Sequence, residues 1–296
     1  MNIISIYKKF PTETDCIAHI ENVRWRGIPT CPYCKATRTT PIKSEQRHHC
    51  NSCNTTFSVT VDTIFHHTHL PLQKWFLAIS LVLNAKKGLS ARQLARDLEV
   101  NKNTGWYMGM RIRNAMFEQG ELLKGIVEMD ETYIGPRKPR RGNKKQEFQA
   151  PLKRGRGTNK QPVVGMIERG GRIIAKPVHK DKLGSKSMAK LVRENIDVSD
   201  AMLITDEWSG YIKIRSFMRH ETINHQVCYV NGEIHTNTIE SFWGLLKRGI
   251  VGQYHKVTLR HLHQYITAFC YRFNHRKNPD VFNLTIARAL GVVANG

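Results

Sequence analysis

Apolar positions along the chain change their period several times, and each change predicts a different kind of element. In "FPTETDCIAHIENVRW", Cys16, Ile17, Ile20 and Val23 fall on one face of a short helix that Thr12 would cap. Helical spacing returns after Leu70. "PLQKWFLAISLVLNAKKG" reads as a helix with Pro71 near its start and Gly88 beyond its end. "LSARQLARDLEV" places Ser90 at the N-cap and Gln93 at N3, with Leu89 against Leu94 as a hydrophobic staple. A short turn at Glu99 and Val100 leads to "NKNTGWYMGMRIRNAM", which Asn101 would cap. Three short helices with a tight turn before the last predict a helix-turn-helix. Trp106 and Met110 would pack inward, leaving Lys102, Asn103, Thr104 and Tyr107 at the exposed start of the recognition helix.

Beyond Glu121 the pattern becomes β-like. "KGIVEMDETYIG", "QPVVGMIERGG" and "RIIAKPVHK" predict three strands separated by Gly, Pro and basic residues. A helix at "SKSMAKLVREN", a buried strand at "AMLITDEW", a helical stretch at "SGYIKIRSFMR" and a strand at "INHQVCYV" follow. In "NTIESFWGLLKRG", Ile239, Phe242, Leu246 and Ile250 form the core-facing stripe of the next helix. Glu240 and Lys247 share a more open face two turns apart, and Asn237 could cap with Glu240 at N3. "LRHLHQYITAFCYRFNHR" closes the series before Pro279. This succession of elements is the order of a ribonuclease H-like α/β domain.

Composition sharpens the picture. Lys and Arg number 46 against 24 Asp and Glu in 296 residues, a formal charge of +22 that argues for a polyanionic partner, nucleic acid first. Ten of those cations lie in "PRKPRRGNKKQEFQAPLKRGRGTNK", where Lys144, Lys145, Arg154 and Arg156 face a single acid, Glu147, as in loops that dock on phosphate. No apolar run approaches the ~20 residues of a membrane span, and the N-terminus lacks the sections of a secretory signal. A cytoplasmic, nucleoid-associated protein without membrane contact is expected. Cys31-x2-Cys34 and Cys50-x2-Cys53, fifteen residues apart, have the spacing of a four-cysteine zinc ribbon holding one structural Zn²⁺. His48 and His49 adjoin Cys50 and could substitute for a ligand, whereas Cys16 reads as core.

Three acids stand out in the β-rich region. Asp130 ends the first strand, Asp206 ends the fourth, and Glu240 sits in the first turn of the later helix. In a ribonuclease H-like sheet those strand ends are neighbours and the helix packs across them. Carboxylates gathered there repel and call for divalent cations with oxygen ligands. Glu131 and Glu207 would point to the opposite side of their strands, and Glu128 shares the face of Asp130 as a candidate peripheral ligand.

Together, "CPYC", "CNSC", "VEMDETYIG", "ITDEWSGY", "HTNTIESFWGLLKRG" and "YRFNHR" resemble the DDE-superfamily transposases of bacterial and archaeal insertion sequences, in the branch with an N-terminal zinc ribbon. The likeness runs from about Phe10 to Asn278. It implies Asp130, Asp206 and Glu240 as ligands of two Mg²⁺ ions, or Mn²⁺ in their place, with Lys247 the basic residue that follows the Glu. Some relatives use an Asn as the third residue, so Asn237 stays a rival. The implied protein binds the terminal repeats of an insertion sequence, cuts them and joins them to target DNA, as a dimer or larger in the synaptic complex. A non-catalytic zinc-ribbon regulator and a nuclease without strand transfer are the alternatives. The expected multi-domain α/β order is an N-terminal helical segment (1–28), zinc ribbon (29–69), helix-turn-helix (70–118), ribonuclease H-like domain (119–280) with a basic insertion (136–161), and a tail (281–296).

Overall fold

A computed structural model of the chain describes residues 1–135, 158–223 and 235–292. They form two compact units, Met1–Phe117 with His275–Gly296, and Glu118–Asn274.

The first unit begins with α1 (Ile3–Lys9) and α2 (Glu13–Trp25). Thr12 caps α2 through a full capping box, its hydroxyl accepting from Asp15 N while Asp15 accepts from Thr12 N. Strands β1 (Thr39–Ile42), β2 (Arg47–Cys50) and β3 (Thr55–Phe57) make a small antiparallel sheet. His48 on β2 is buried, bonded through Nε2 to Glu21 (2.9 Å) and packed against Trp25 and Phe57. It docks α2 onto the sheet and is no ligand.

Helices α3 (Leu72–Asn84), α4 (Ala91–Asp97) and α5 (Lys102–Ala115) follow. Ser90 and Asn101 cap α4 and α5 as their positions predict. Glu99 makes the intervening turn with φ +51. Gly105 is where the two helices touch: a Cβ there would lie 2.8 Å from Ala91 O and 2.9 Å from Ala95 Cβ. Two arginines hold the connection between ribbon and helices. Arg24 donates to Val59 O and Val61 O, and Arg111 to Ile64 O and His66 O. Arg111 thus serves the fold, and Arg113 is buried.

The chain's last described helix completes this unit. Residues 281–296 read from sequence as a tail, yet α9 (Val281–Ala289) inserts Phe282 beside Phe76 and Phe10, with ring centroids 5.7 and 6.4 Å away. Its apolar positions recur at helical spacing, Phe282, Ile286 and Ala289 all being buried, and that pattern overrides position in the chain.

The second unit is built on β4 (Leu123–Ile134), β5 (Gln161–Glu168), β6 (Ile173–Pro177), β7 (Ile196–Asp206) and β8 (Arg219–Ile223). The sheet order is β6-β5-β4-β7-β8. β5 is antiparallel to both neighbours, while β4, β7 and β8 run parallel. That order and direction pattern is ribonuclease H-like. α6 (Ser185–Asn195) covers one face, packing Met188 and Val192 with Val127, Met129 and Leu203. α7 (Asn237–Gly249) and α8 (Leu259–Asn274) cover the other, placing Phe242, Leu246 and Phe269 with Val163, Ile167 and Ile173. Alternating residues of β5 therefore feed two cores, as a strand covered on both faces requires. The helical stretch after Asp206 is a 3₁₀ helix, Ser209–Ser216. β8 precedes the expected strand position, most of which lies outside the described residues, as do Lys144, Lys145, Arg154 and Arg156. Among the described residues no helix is long and apolar enough to cross a membrane.

Phe282→Ala should destabilise the first unit by about 3–5 kcal/mol, the usual cost of deleting a buried phenyl. Urea unfolding of the full chain measures it, and an unchanged transition would return residues 281–289 to the status of a tail.

Candidate active site and zinc centre

β4 and β7 pair in parallel with Glu128 opposite Ile204, so continuing the register two residues brings Asp130 level with Asp206. Asp206 ends β7 as expected, but Asp130 does not end its strand: β4 runs on to Ile134 because residues 131–134 stay paired with β5. Asp130 is held from both sides: its Oδ1 accepts from Glu131 N (2.7 Å) and its Oδ2 from Trp243 Nε1 (3.0 Å). Burial first, then the charges of Glu131 and Asp206, push its carboxyl up to about 7, although the Glu131 N–H and Trp243 bonds pull the other way. Asp206 accepts from Trp208 N at 3.2 Å. Glu131 turns from the pair and accepts from the fully buried Tyr211 hydroxyl (2.8 Å). Burial and then the charges of Glu131, Asp130 and Asp206 raise that phenol well above its usual range. Glu207 is exposed.

The Trp243 contact depends on a glycine. Gly165 on β5 is the ladder partner of Asp130, and a Cβ there would stand 2.6 Å from the indole. Its absence lets Trp243 lie across the strand and reach the carboxylate. Neither residue stood out in the sequence, where Trp243 adjoins the stripe of Ile239, Phe242, Leu246 and Ile250 without belonging to it. A glycine inside a strand, marking close approach, was the available signal.

Glu128 corrects the sequence reading. It is 0% exposed. Its oxygens accept from Thr238 N (2.9 Å), Ile239 N (3.0 Å), Thr238 Oγ1 (2.8 Å) and Arg169 Nε (2.8 Å). With its lone pairs turned to these donors, it is a cap of α7 and not a peripheral ligand. The N-cap of α7 is Thr236, without a side-chain capping bond, and Asn237 is the first helical residue. The capping box that Asn237 and Glu240 could have formed is therefore absent. Glu240 and Lys247 are exposed, as their shared face predicts. Glu240 Oε1 instead accepts from Thr236 Oγ1 at 3.2 Å.

The chemistry where β4 and β7 pair fits a hard divalent cation: two carboxylates side by side, one with its proton affinity raised by burial and neighbouring charge. Asp130, Asp206 and Glu240 are not gathered into one cluster. Among the described residues, only Cys31, Cys34, Cys50 and Cys53 form a group of three or more ligating side chains close enough to share an ion.

The four sulfurs lie within 4.8 Å of one another, with Cys31–Cys53 at 3.7 Å and Cys34–Cys50 at 3.5 Å. A tetrahedral zinc–thiolate site, with Zn–S of ~2.3 Å, has edges of ~3.8 Å. Each pair sits on the same kind of turn. Lys35 (φ 62) and Asn54 (φ 55) are left-handed, and their N–H groups donate to the carbonyls of Cys31 and Cys50. Backbone N–H groups of Cys53, then Ser52, pull the Cys50 thiol down to about 6 against the opposing effect of burial.

On α5, Lys102 and Asn103 are exposed and Thr104 is partly so. Tyr107 is 48% exposed beneath the Arg111 guanidinium, 4.4 Å from its ring. Trp106, expected to pack inward, is 42% exposed. The face it was given belongs to Gly105 and Met108, which are buried against the rest of the unit.

The family model for the ISXO2-like transposase domain matches residues 122–274, and that for the transposase zinc-ribbon domain matches residues 11–56. The chain belongs to the ISXO2-like transposase family. A protein described as "Uncharacterized protein in transposable element ISH50", from Halobacterium salinarum, is 29% identical over 277 residues, covering 88% of this chain and 91% of that protein. Among solved structures, a pre-cleavage Mos1 transpososome is 12% identical, with a TM-score of 0.28 over 71% of this chain and 77% of that one. The mariner Mos1 paired end complex with Mg is 11% identical, with a TM-score of 0.29 over 73% and 78%. Overlap so loose argues nothing; the strand order of this transposase domain carries its fold.

Full-length protein should hold one equivalent of zinc by metal analysis. Cys50→Ala should remove it and loosen the β1–β3 sheet, because so small a core leans on its metal. Freshly purified protein without zinc would contradict the assignment.

Proposed function

We propose that this chain is a DNA transposase that binds the terminal repeats of its element, cuts them and transfers the cut strands to target DNA. The observation that supports this most is the placing of Asp130 and Asp206 at one level on the adjacent strands β4 and β7, on the sheet against which the helix carrying Glu240 packs, within a transposase-family domain. Asp130, Asp206 and Glu240 are the residues to hold two Mg²⁺ ions, or Mn²⁺. Such ions, when bound, activate an oxygen nucleophile and neutralise charge on the leaving oxygen of a phosphodiester. Trp243 keeps Asp130 oriented. Lys247, exposed on the Glu240 face, holds the phosphate of the strand entering the site. Both transfers proceed by direct attack of water or a 3′-hydroxyl, so no Ser or Tyr nucleophile is needed. Lys102, Asn103, Thr104 and Tyr107 read the terminal repeat. Lys144, Lys145, Arg154 and Arg156 supply contacts to phosphate without sequence preference. Joining two ends requires at least a dimer when DNA is bound.

Full-length protein incubated with terminal-repeat DNA, target DNA and Mg²⁺ should give joined products. Glu240→Gln should abolish cleavage while DNA binding is kept, and Lys247→Ala should slow it. Cleavage without joining would make the protein a nuclease, and binding without cleavage a regulator. Wild-type cleavage by Glu240→Gln, with Asn237→Ala inactive, would move the third ligand to Asn237.

A further inference from the structure

We infer that Glu128 is a positioning residue for Glu240, fixing from the neighbouring strand where the third acid stands over Asp130 and Asp206. The inference rests on the metal role given above to Glu240. Four donors converge on the Glu128 carboxylate, and two of them are the backbone N–H groups of Thr238 and Ile239, the residues immediately before Glu240. They are also donors that no earlier turn of helix can satisfy, and Thr236 does not cap them. A carboxylate there meets both the unpaired N–H groups and the positive end of the helix. Arg169 extends the hold: its Nε donates to Glu128 and its Nη2 to His235 O (2.9 Å), while His235 Nδ1 lies 3.4 Å from Glu128.

The consequence is geometric. Asp130 lies two residues beyond Glu128 on β4, and Glu240 lies one and two residues beyond the amides that Glu128 holds. The first turn of α7 cannot slide along β4 without stripping those bonds and leaving a buried carboxylate unpaired. Glu240 therefore reaches the aspartates by rotating its side chain off the Thr236 hydroxyl, with the helix backbone already in place. Packing alone does not account for the choice of Glu, since an apolar side chain could fill the same space but would orphan Arg169 and both amides.

The test is Mn²⁺ binding to the full-length, zinc-loaded protein, titrated by EPR with no DNA turnover involved. Glu240→Gln should weaken the Mn²⁺ site, and Glu128→Gln should weaken it about 10- to 100-fold, as loss of a group that orients a ligand does. The double variant Glu128→Gln/Glu240→Gln should bind no more weakly than Glu240→Gln alone, because Glu128 acts through Glu240. Thr238→Val, a milder cut in the same network, should weaken binding less and be silent in the Glu240→Gln background, which keeps the test decisive should Glu128→Gln fail to fold. Losses that multiply in the double variants would make Glu128 an independent or merely structural contributor and overturn the inference. If Glu240→Gln alone left Mn²⁺ affinity unchanged, the ligand role of Glu240 would fail and this inference with it, whereas a full effect of Glu240→Gln beside an unaffected Glu128→Gln would defeat this inference only.

Discussion

The carboxylate of Glu128, buried between β4 and the first turn of α7, is the contact on which the arrangement of the transposase domain turns. Removing one partner of a buried, hydrogen-bonded charge costs about 3–5 kcal/mol, so the group persists only with its partners in place. Here they are two helix amides, a hydroxyl and an arginine, all drawn from other elements. One residue thereby ties the central strand, the β5–β6 hairpin and α7 together. The second tie runs from the same helix to the same strand, from Trp243 to Asp130 across Gly165. Asp130 is thus oriented by the helix that presents Glu240, and the two acids are parts of one braced assembly. Asp130 and Asp206 come together because the sheet order puts β4 beside β7, and burial first, then the neighbouring charges, raise the proton affinity of Asp130.

The other unit is organised by the same need to satisfy polar groups, with a four-cysteine cluster able to hold a metal, and arginine, in place of a capping carboxylate. Two cysteine turns of matching shape aim four thiolates at one point. Arg24 and Arg111 then fix the carbonyls of the segment that leads from the ribbon to the helices. Phe282 returns from the far end of the chain to close the aromatic core. The pair α4 and α5 therefore rests on a scaffold drawn from both ends of the chain, and Gly105 sets how closely the two helices approach.

Much of this was legible in the sequence where the physics is local. Capping residues Thr12, Ser90 and Asn101 announced their helices, cysteine spacing announced the four-cysteine cluster, and the succession of strands and helices announced the sheet. Long-range pairing was not legible. Thr238 and Glu128 are 110 residues apart, so Glu128 looked like one more acid on the Asp130 face, and the N-terminus of α7 looked capped from within. Trp106 misled because an aromatic in a helical pattern reads as core, and only tertiary contact shows that its turn faces outward. Residues 281–296 misled because position after the matched motifs outweighed a short apolar period.

The central claim, that a helix held by Glu128 delivers Glu240 to a metal site on Asp130 and Asp206, is tested most directly by a crystal structure of the protein grown with Mn²⁺ and terminal-repeat DNA. Anomalous scattering should place manganese between Asp130 and Asp206, with Glu240 turned off Thr236 onto it and the Glu128 bonds to Thr238 and Ile239 intact. Manganese held without Glu240, or a first turn of α7 that has left Glu128 to reach the ion, would contradict it.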